Sequence, residues 1–497
     1  MRRPFNCSNL QPAAGLDLLT ERPMRRWRLA SGAVLLAPLV AASCKDRPQP
    51  PSAVTGSASA SVAPTALAPR CTEVSRGASF VIGKPSPAKQ GDEDQALDLP
   101  FAVELGRAHA FEKGFLVTAL RSVAGQSQAM LASLNADASG GRIVELGRVH
   151  GDVEPPLITV GKNHVFVGVA DHDASSAIVR LASISKPTGE PQVTWGALPQ
   201  IGGDASEAFD MALGEERGVL AYDDYKKADG HSSVWTLTFG LDDPSKVTPA
   251  RVVSLKGQDV EAPKLAERPG GFWLAWIAHS KLETESKPKP SEKNIDLESL
   301  VELGTRWLEL VKLDENGVRV GEPLKVSAED GHVLVFDLMG APDGSAWLAW
   351  RDDATSPGVE RRAVLLARVD ASGSKTDLKI EDERVGAGVP NLLEVAPPTK
   401  QVAWLGLGTA SDRTSFLALA PDFKPVEDLD NDPLVGPAEL LAARNDEILL
   451  GRPQGLACEL SVVRCAPRFG SAGQGAGASE EDDLEVPPAP SAAPSSF

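Results

Sequence analysis

The chain has 497 residues, is 42% hydrophobic and carries a formal net charge of −18. Residues 1–43 hold six arginines against Asp17 and Glu21, so the remainder is more acidic still, at about −22. That balance excludes wrapping of nucleic acid, which needs a basic surface, and disfavours electrostatic docking on anionic lipid. The apolar fraction is enough for a large core, and repeat folds can use such a length as one unit.

The first element is an address. Met24-Arg25-Arg26-Trp27-Arg28 is a positive segment, and residues 29–40 form an apolar run broken by Gly32 and Pro38. The run is too short to span a bilayer and has the form of a signal-peptide core, which places the expected translation start at Met24. Ala41-Ala42-Ser43-Cys44 follows and resembles a bacterial lipobox, although Ala41 stands where Leu is usual. The resemblance implies that residues 1–43 are removed and that Cys44 is lipidated. Residues 44–70 are rich in Pro, Ser and Ala, cannot bury enough apolar surface to offset their ordering entropy, and are expected to be a disordered tether.

From residue 71 a four-strand unit recurs about every 50 residues. Its first strands begin near residues 103, 157, 209, 263, 335, 390 and 437. Its second strands are read at 114–120, 164–170, 218–222, 272–277, 346–350, 402–407 and 447–450, as apolar runs of four to eight residues behind a turn. Turns such as Asp314-Glu315-Asn316-Gly317 and Asp370-Ala371-Ser372-Gly373 end the third strands. The clearest copy is Gly270-Gly271-Phe272-Trp273-Leu274-Ala275-Trp276-Ile277, whose two tryptophans fall on opposite faces of a strand. The fourth unit is longer by an insertion at 280–302, charged and proline-bearing, read as a loop.

Near-continuous apolar second and third strands mean sheets buried on both faces. That pattern predicts an all-β chain, a β-propeller of seven blades over 71–469, rather than a pair of sandwiches with cleaner alternation. The last unit lacks a fourth strand after Cys465, and residues 79–82 form an orphan strand ahead of the first unit. The orphan is expected to complete the last blade and so remove two open sheet edges. Residues 470–497 are low in complexity, contain Glu480-Glu481-Asp482-Asp483, and are expected to be a disordered acidic tail.

Of five cysteines, Cys71, Cys458 and Cys465 fall in the repeat region. Cys458 and Cys465 on one extended strand would be about 23 Å apart, at about 3.3 Å per residue, whereas a disulfide needs Cα atoms within about 7 Å. Antiparallel pairing of the closing segment with the last third strand sets Cys71 beside Cys465, and this is the expected bridge, with Cys71–Cys458 as the other arrangement.

Motifs for chemistry are few. The sequence has no phosphate-binding loop, no His-Glu-x-x-His, no Cys-x-x-Cys and no nucleophile elbow. Acidic residues follow several second strands: Asp171-His172-Asp173, Asp223-Asp224 and Asp352-Asp353, with His279 at the matching place in the fourth unit. All would lie on one face of a propeller, where their oxygens suit a hard cation such as calcium, although their spacing is unlike a calcium loop. Tyr222 and Tyr225, the only tyrosines, flank Asp223-Asp224. Pro342-Asp343-Gly344-Ser345-Ala346-Trp347 has the letters of a sialidase Asp-box in another spacing, so no catalytic residue is assigned.

The signal and repeats together resemble β-propeller lipoproteins of high-GC Gram-negative bacteria. The resemblance implies a monomeric, lipid-anchored protein of the cell envelope, periplasmic or surface-exposed, with no cofactor. Its expected role is a non-catalytic binding or scaffold module whose partner is another envelope protein or a glycan. The alternative is a propeller-type hydrolase acting on a polysaccharide or other polymer.

Overall fold

The computed structural model describes residues 71–75, 80–83 and 103–465, the last except 112, 124–125, 152, 173–176, 186–190, 197–198, 203–207, 227–229, 281–304, 353–362, 382–389, 397–402, 410–412, 426–433 and 455–456. The expected signal segment, Cys44, the tether, nearly all of the insertion, the acidic tail, Asp173 and Asp353 lie outside the described residues.

Every described element is a β-strand. The closing strands are β1 (Cys71–Glu73) and β2 (Phe80–Ile82). The first unit is β3 (Val103–Phe111), β4 (Gly114–Val123), β5 (Gln126–Asn135) and β6 (Gly141–Val149). The second is β7 (Leu157–Val160), β8 (Val165–His172) and β9 (Ala177–Ile184), with β10 (Val193–Trp195) and β11 (Gln200–Gly202) sharing the outer edge of β9. The third is β12 (Phe209–Leu213), β13 (Arg217–Lys226), β14 (His231–Gly240) and β15 (Arg251–Val252). The fourth is β16 (Asp259–Arg268), β17 (Gly271–His279), β18 (Arg306–Leu313) and β19 (Arg319–Lys325). The fifth is β20 (Val333–Gly340), β21 (Ala346–Asp352), β22 (Ala363–Val369) and β23 (Lys375–Glu381). Then come β24 (Asn391–Ala396), β25 (Ala403–Thr409), β26 (Arg413–Leu419) and β27 (Leu434–Val435), followed by β28 (Glu439–Arg444), β29 (Glu447–Gln454) and β30 (Ala457–Cys465).

Within each unit the strands pair antiparallel in chain order. A two-residue parallel contact, Val395↔Ala443 and Ala396↔Arg444, joins the last two units. The inner strands touch in the order β3, β7, β12, β16, β20, β24, β28 and back to β3. The sheets therefore stand radially around a centre, which is the β-propeller architecture. Each sheet is sandwiched between neighbours, so β17 is buried along Gly271–Ala278 and can be apolar throughout. Trp276 and Trp273 pack into different clusters, one toward the third unit and one toward the fifth. The Trp273 indole donates to the Gly344 carbonyl at 3.0 Å, and that of Trp276 to Glu309 Oε2 at 3.1 Å. The tryptophans are packing groups between units.

Closure uses two short N-terminal strands. Phe80–Ile82 pairs with Leu460–Cys458, and Cys71–Glu73 pairs with Cys465–Val463, both antiparallel on β30. Cys71 and Cys465 are directly opposite and disulfide-bonded, across a sequence separation of 394.

Inner strands are joined by a repeated polar device. Asp210 Oδ2 accepts the Leu265 N–H at 2.9 Å, and Asp337 Oδ2 accepts the Leu392 N–H at 2.9 Å. Lys264 and Asn391 stand just before those two amides. Lys264 Nζ meets Asp337 Oδ1 at 3.3 Å, and Asn391 donates to the Leu440 carbonyl. Arg107 of the first unit reaches across to Asp210 at 2.6 Å. These groups sit where the inner strands converge, and each needs a partner because burial of a lone charge or polar group is costly.

Candidate functional site

Strand alternation puts the ends of second strands and the starts of first and third strands on one face of the ring, here the upper face. At the junction of the third and fourth units this face gathers Asp223 near the end of β13, Glu261 near the start of β16, His279 at the end of β17 and Arg306 at the start of β18.

Local backbone irregularity makes the site. The β16–β17 register shifts between Glu261 and Lys264, a bulge built on Ala262-Pro263. Pro263 cannot donate to a ladder, so it fits a bulge. Ala262 has φ +55°, a left-handed conformation costly for a residue with a side chain, and such strain clusters at functional sites. Its N–H is thereby aimed at Asp223 Oδ2, 2.9 Å away.

Two carboxyls at this point are driven in opposite directions. Asp223 is 7% exposed. Burial pushes its carboxyl up, the charges of Glu261 and Glu154 add to this, and backbone donors at Ala262 and Ala208 offset part of it, leaving it at about 7. For Glu261 burial also favours the neutral acid. The hydrogen bond and charge of His279 and the charge of Arg306 outweigh that, and the carboxyl lies below its ordinary value. His279 Nε2 is 3.1 Å and Arg306 Nη1 3.3 Å from Glu261 Oε1. Around neutral pH one carboxyl is therefore half protonated and its neighbour ionised, the division of labour that acid–base chemistry requires. On the other face of β13, burial and the charge of Asp224 push the Tyr222 hydroxyl up to about 12.

The acidic residues nominated from sequence divide among units. Asp223 belongs to this site; Asp224, the next residue on β13, is buried on the opposite face of the strand with Tyr222, toward the second unit. Asp171, in the second unit, accepts the His150 N–H at 2.9 Å and faces the His150 ring and Arg180. His172 donates its backbone N–H to the His150 carbonyl. Asp352, in the fifth unit, accepts the His332 N–H at 2.8 Å. Asp171 and Asp352 thus tie down the chain entering the neighbouring first strand. Among the described residues no group of three or more His, Cys, Asp or Glu side chains is placed to hold a metal ion. Glu261, Glu154 and Arg306 escaped the sequence reading. Glu261 sits inside what reads as an ordinary inner strand, and the one local signal was Pro263 two residues later, a bulge marker with an acidic residue beside it.

No protein-family model matches the chain. No curated protein matches it either. Among solved structures it is similar to an α-L-arabinanase of Penicillium chrysogenum complexed with arabinobiose, at 12% identity over 80% of this chain and 99% of that one, with a TM-score of 0.41. It is similar to a GH93 α-L-arabinofuranosidase of Fusarium graminearum, at 12% identity over 67% and 91%, TM-score 0.37. The polysaccharide lyase Uly1 is similar at 8% identity over 72% and 89%, TM-score 0.45. These likenesses are of chain layout. The expectation of a non-catalytic binding or scaffold module is corrected toward its alternative, a propeller-type hydrolase: the upper face carries two carboxyls, Asp223 and Glu261, whose surroundings drive their ionisation apart.

Proposed function

We propose that the protein hydrolyses a glycosidic bond of a polysaccharide. The observation that carries the reading is the Asp223–Glu261 pair, two neighbouring carboxyls whose surroundings separate their ionisation. Asp223 in its protonated form gives its proton to the leaving glycosidic oxygen. Glu261, kept ionised by His279 and Arg306, either takes a proton from the attacking water or attacks the anomeric carbon itself. Arabinose-containing chains, of the kind the similar arabinanase acts on, are the first substrates to try. The test is reducing-end release from neutral polysaccharides by the purified chain and by Glu261→Gln and Asp223→Asn. Each substitution is expected to lower kcat by about 10²–10⁴-fold, the usual scale for a general acid or base. Undiminished turnover in either variant refutes the assignment.

The location belongs to the same proposal. The arginine run, the apolar stretch and Ala41-Ala42-Ser43-Cys44 support export and a lipid anchor at Cys44, with action in the bacterial envelope as a monomer. A Cys44→Ala variant that stayed firmly in the membrane fraction would remove the anchor from the account.

A further inference from the structure

Glu309 is a buried acid with no part in the acid–base chemistry above. It lies in β18, 2% exposed, with Leu308, Leu310 and Val311 as its neighbours in the strand. Its two oxygens take three hydrogen bonds. The Trp307 indole donates to Oε1 at 2.9 Å, the Gln258 amide to Oε1 at 2.8 Å and the Trp276 indole to Oε2 at 3.1 Å. A carboxylate offers acceptors on both oxygens, whereas glutamine would set an NH2 group against an N–H. No cation pairs with Glu309 among the described residues. Lys325, directly across the ladder, holds its ammonium over the Trp307 ring at 5.8 Å and pairs with Glu329 instead.

The fifth unit shows that packing does not call for this acid. Trp273-Leu274-Ala275-Trp276 of β17 and Trp347-Leu348-Ala349-Trp350 of β21 are the same run in successive units. Trp276 stands across from Glu309, and Trp350 across from Leu365. The buried Trp350 Nε1 has no hydrogen-bond partner among the described residues, and the strands pair all the same. An acid in an apolar strand costs desolvation, so its presence beside one tryptophan and not the other has a local reason.

The three donors supply it. Gln258 is three residues before Glu261, Trp276 three before His279, and Trp307 is next to Arg306. Glu309 thus ties together the upper ends of the three chain segments that bring His279 and Arg306 onto Glu261. Alternation turns His279 and Arg306 to the other face of the sheet from Trp276 and Trp307, so Glu309 touches none of these groups and acts through the backbone. The contacts it supports are 3.1 and 3.3 Å, and a slip of about 1 Å in either strand end would take them out of hydrogen-bond range.

We propose that Glu309 is a positioning residue for the acid–base site, clamping from the back of the sheet the strand ends that carry Glu261, His279 and Arg306. This rests on the reading of Asp223 and Glu261 as the hydrolytic pair, and the experiment separates the two. The variant is Glu309→Gln, which keeps the volume and spoils the acceptors. Trp307→Phe, which keeps a ring and deletes one donor, takes its place if Glu309→Gln does not fold. The first readout needs no turnover: the Glu261 carboxyl is titrated by carbon-13 NMR in the full chain labelled at glutamate, its signal assigned by its loss in Glu261→Gln. The charged groups described around Glu261 are His279 of β17, Arg306 of β18 and Asp223 of β13. In wild type, against burial, His279 and Arg306 hold this carboxyl below its ordinary value, and the variant is expected to move it up toward that value. The second readout is kcat and KM on arabinan across pH. The variant is expected to lose about 10–10²-fold in kcat with KM within about twofold. Its acid limb should rise while the alkaline limb stays at about 7. The proposal is overturned if the Glu261 titration of the variant stays within about 0.2 pH units of wild type, if KM rises with kcat unchanged, or if both limbs move together. Failure of Trp307→Phe to fold as well would make the cluster a folding element alone and overturn it too. A shifted Glu261 titration without turnover by wild type would keep the clamp and remove the hydrolase reading. Turnover that needs Glu261 but not Glu309 would do the reverse.

Discussion

Replacing Asp223 by Asn should remove most of the turnover and make the fold more stable, by an amount that depends on pH. In the native protein burial pushes this carboxyl from 3.8 to about 7. For an acid raised on folding, the neutral form is favoured by the native state, and the penalty appears as pH climbs above the unfolded value. It grows between pH 3.8 and about 7 and is complete above that. Three pH units at 1.36 kcal/mol each make the full penalty about 4 kcal/mol, with about half present at pH 5.5. Asn is close to the same size, cannot ionise, and its carbonyl oxygen can still accept the Ala262 N–H. Urea unfolding of wild type and Asp223→Asn at pH 5.5 and pH 9, disulfide intact, should show the variant more stable at both and by about 2 kcal/mol more at the higher pH. A variant less stable at pH 9, or a difference that does not change with pH, would refute the account of a buried, strained acid held for function at a cost in stability.

Other parts of the structure make their own predictions. Asp337→Ala leaves Lys264, with a side chain 5% exposed, without its carboxylate and the Leu392 N–H without its acceptor, and should cost about 3–5 kcal/mol in urea unfolding. The double change Lys264→Met with Asp337→Leu should recover most of that loss, since it removes the buried charge from both sides. Cys465→Ser opens the covalent clasp between β1 and β30 and should lower stability by about 2–5 kcal/mol, with wild type falling to the same melting temperature under reductant.

Much of the fold was legible because propeller sheets are buried on both faces. Apolar runs such as Phe272–Ile277 and Ala346–Trp350 can be long and tight only in that setting, and Asp-x-x-Gly turns such as Asp314 and Asp370 punctuate them through Asx hydrogen bonds that the structure contains. The closing strand and its disulfide were legible from a missing fourth strand and from register. Half of the candidate site was legible too: Asp223 and His279 were singled out, although as members of a cation cluster that included Asp224, and Tyr222 and Tyr225 only as the tyrosines flanking Asp223-Asp224. The other half was not, because it depends on a bulge. Glu261 becomes a partner of Asp223 only when Ala262-Pro263 breaks the register and turns an N–H inward, and neither composition nor alternation encodes that rotation. The Lys264–Asp337 and Arg107–Asp210 pairs were hidden for a related reason. Each joins residues from different units, and a single repeat shows only a charge in an apolar strand.

The most direct test is the pH dependence of kcat/KM on a neutral polysaccharide. Asp223 must be protonated to act, so activity should fall as pH rises through about 7, and Glu261 must be ionised, so it should fall again only well into the acid range, below the ordinary value for a glutamate. In Asp223→Asn the alkaline limb should disappear along with most of the rate. An alkaline limb that survives the substitution at full activity would contradict the assignment of Asp223 as the acid and with it the hydrolytic site.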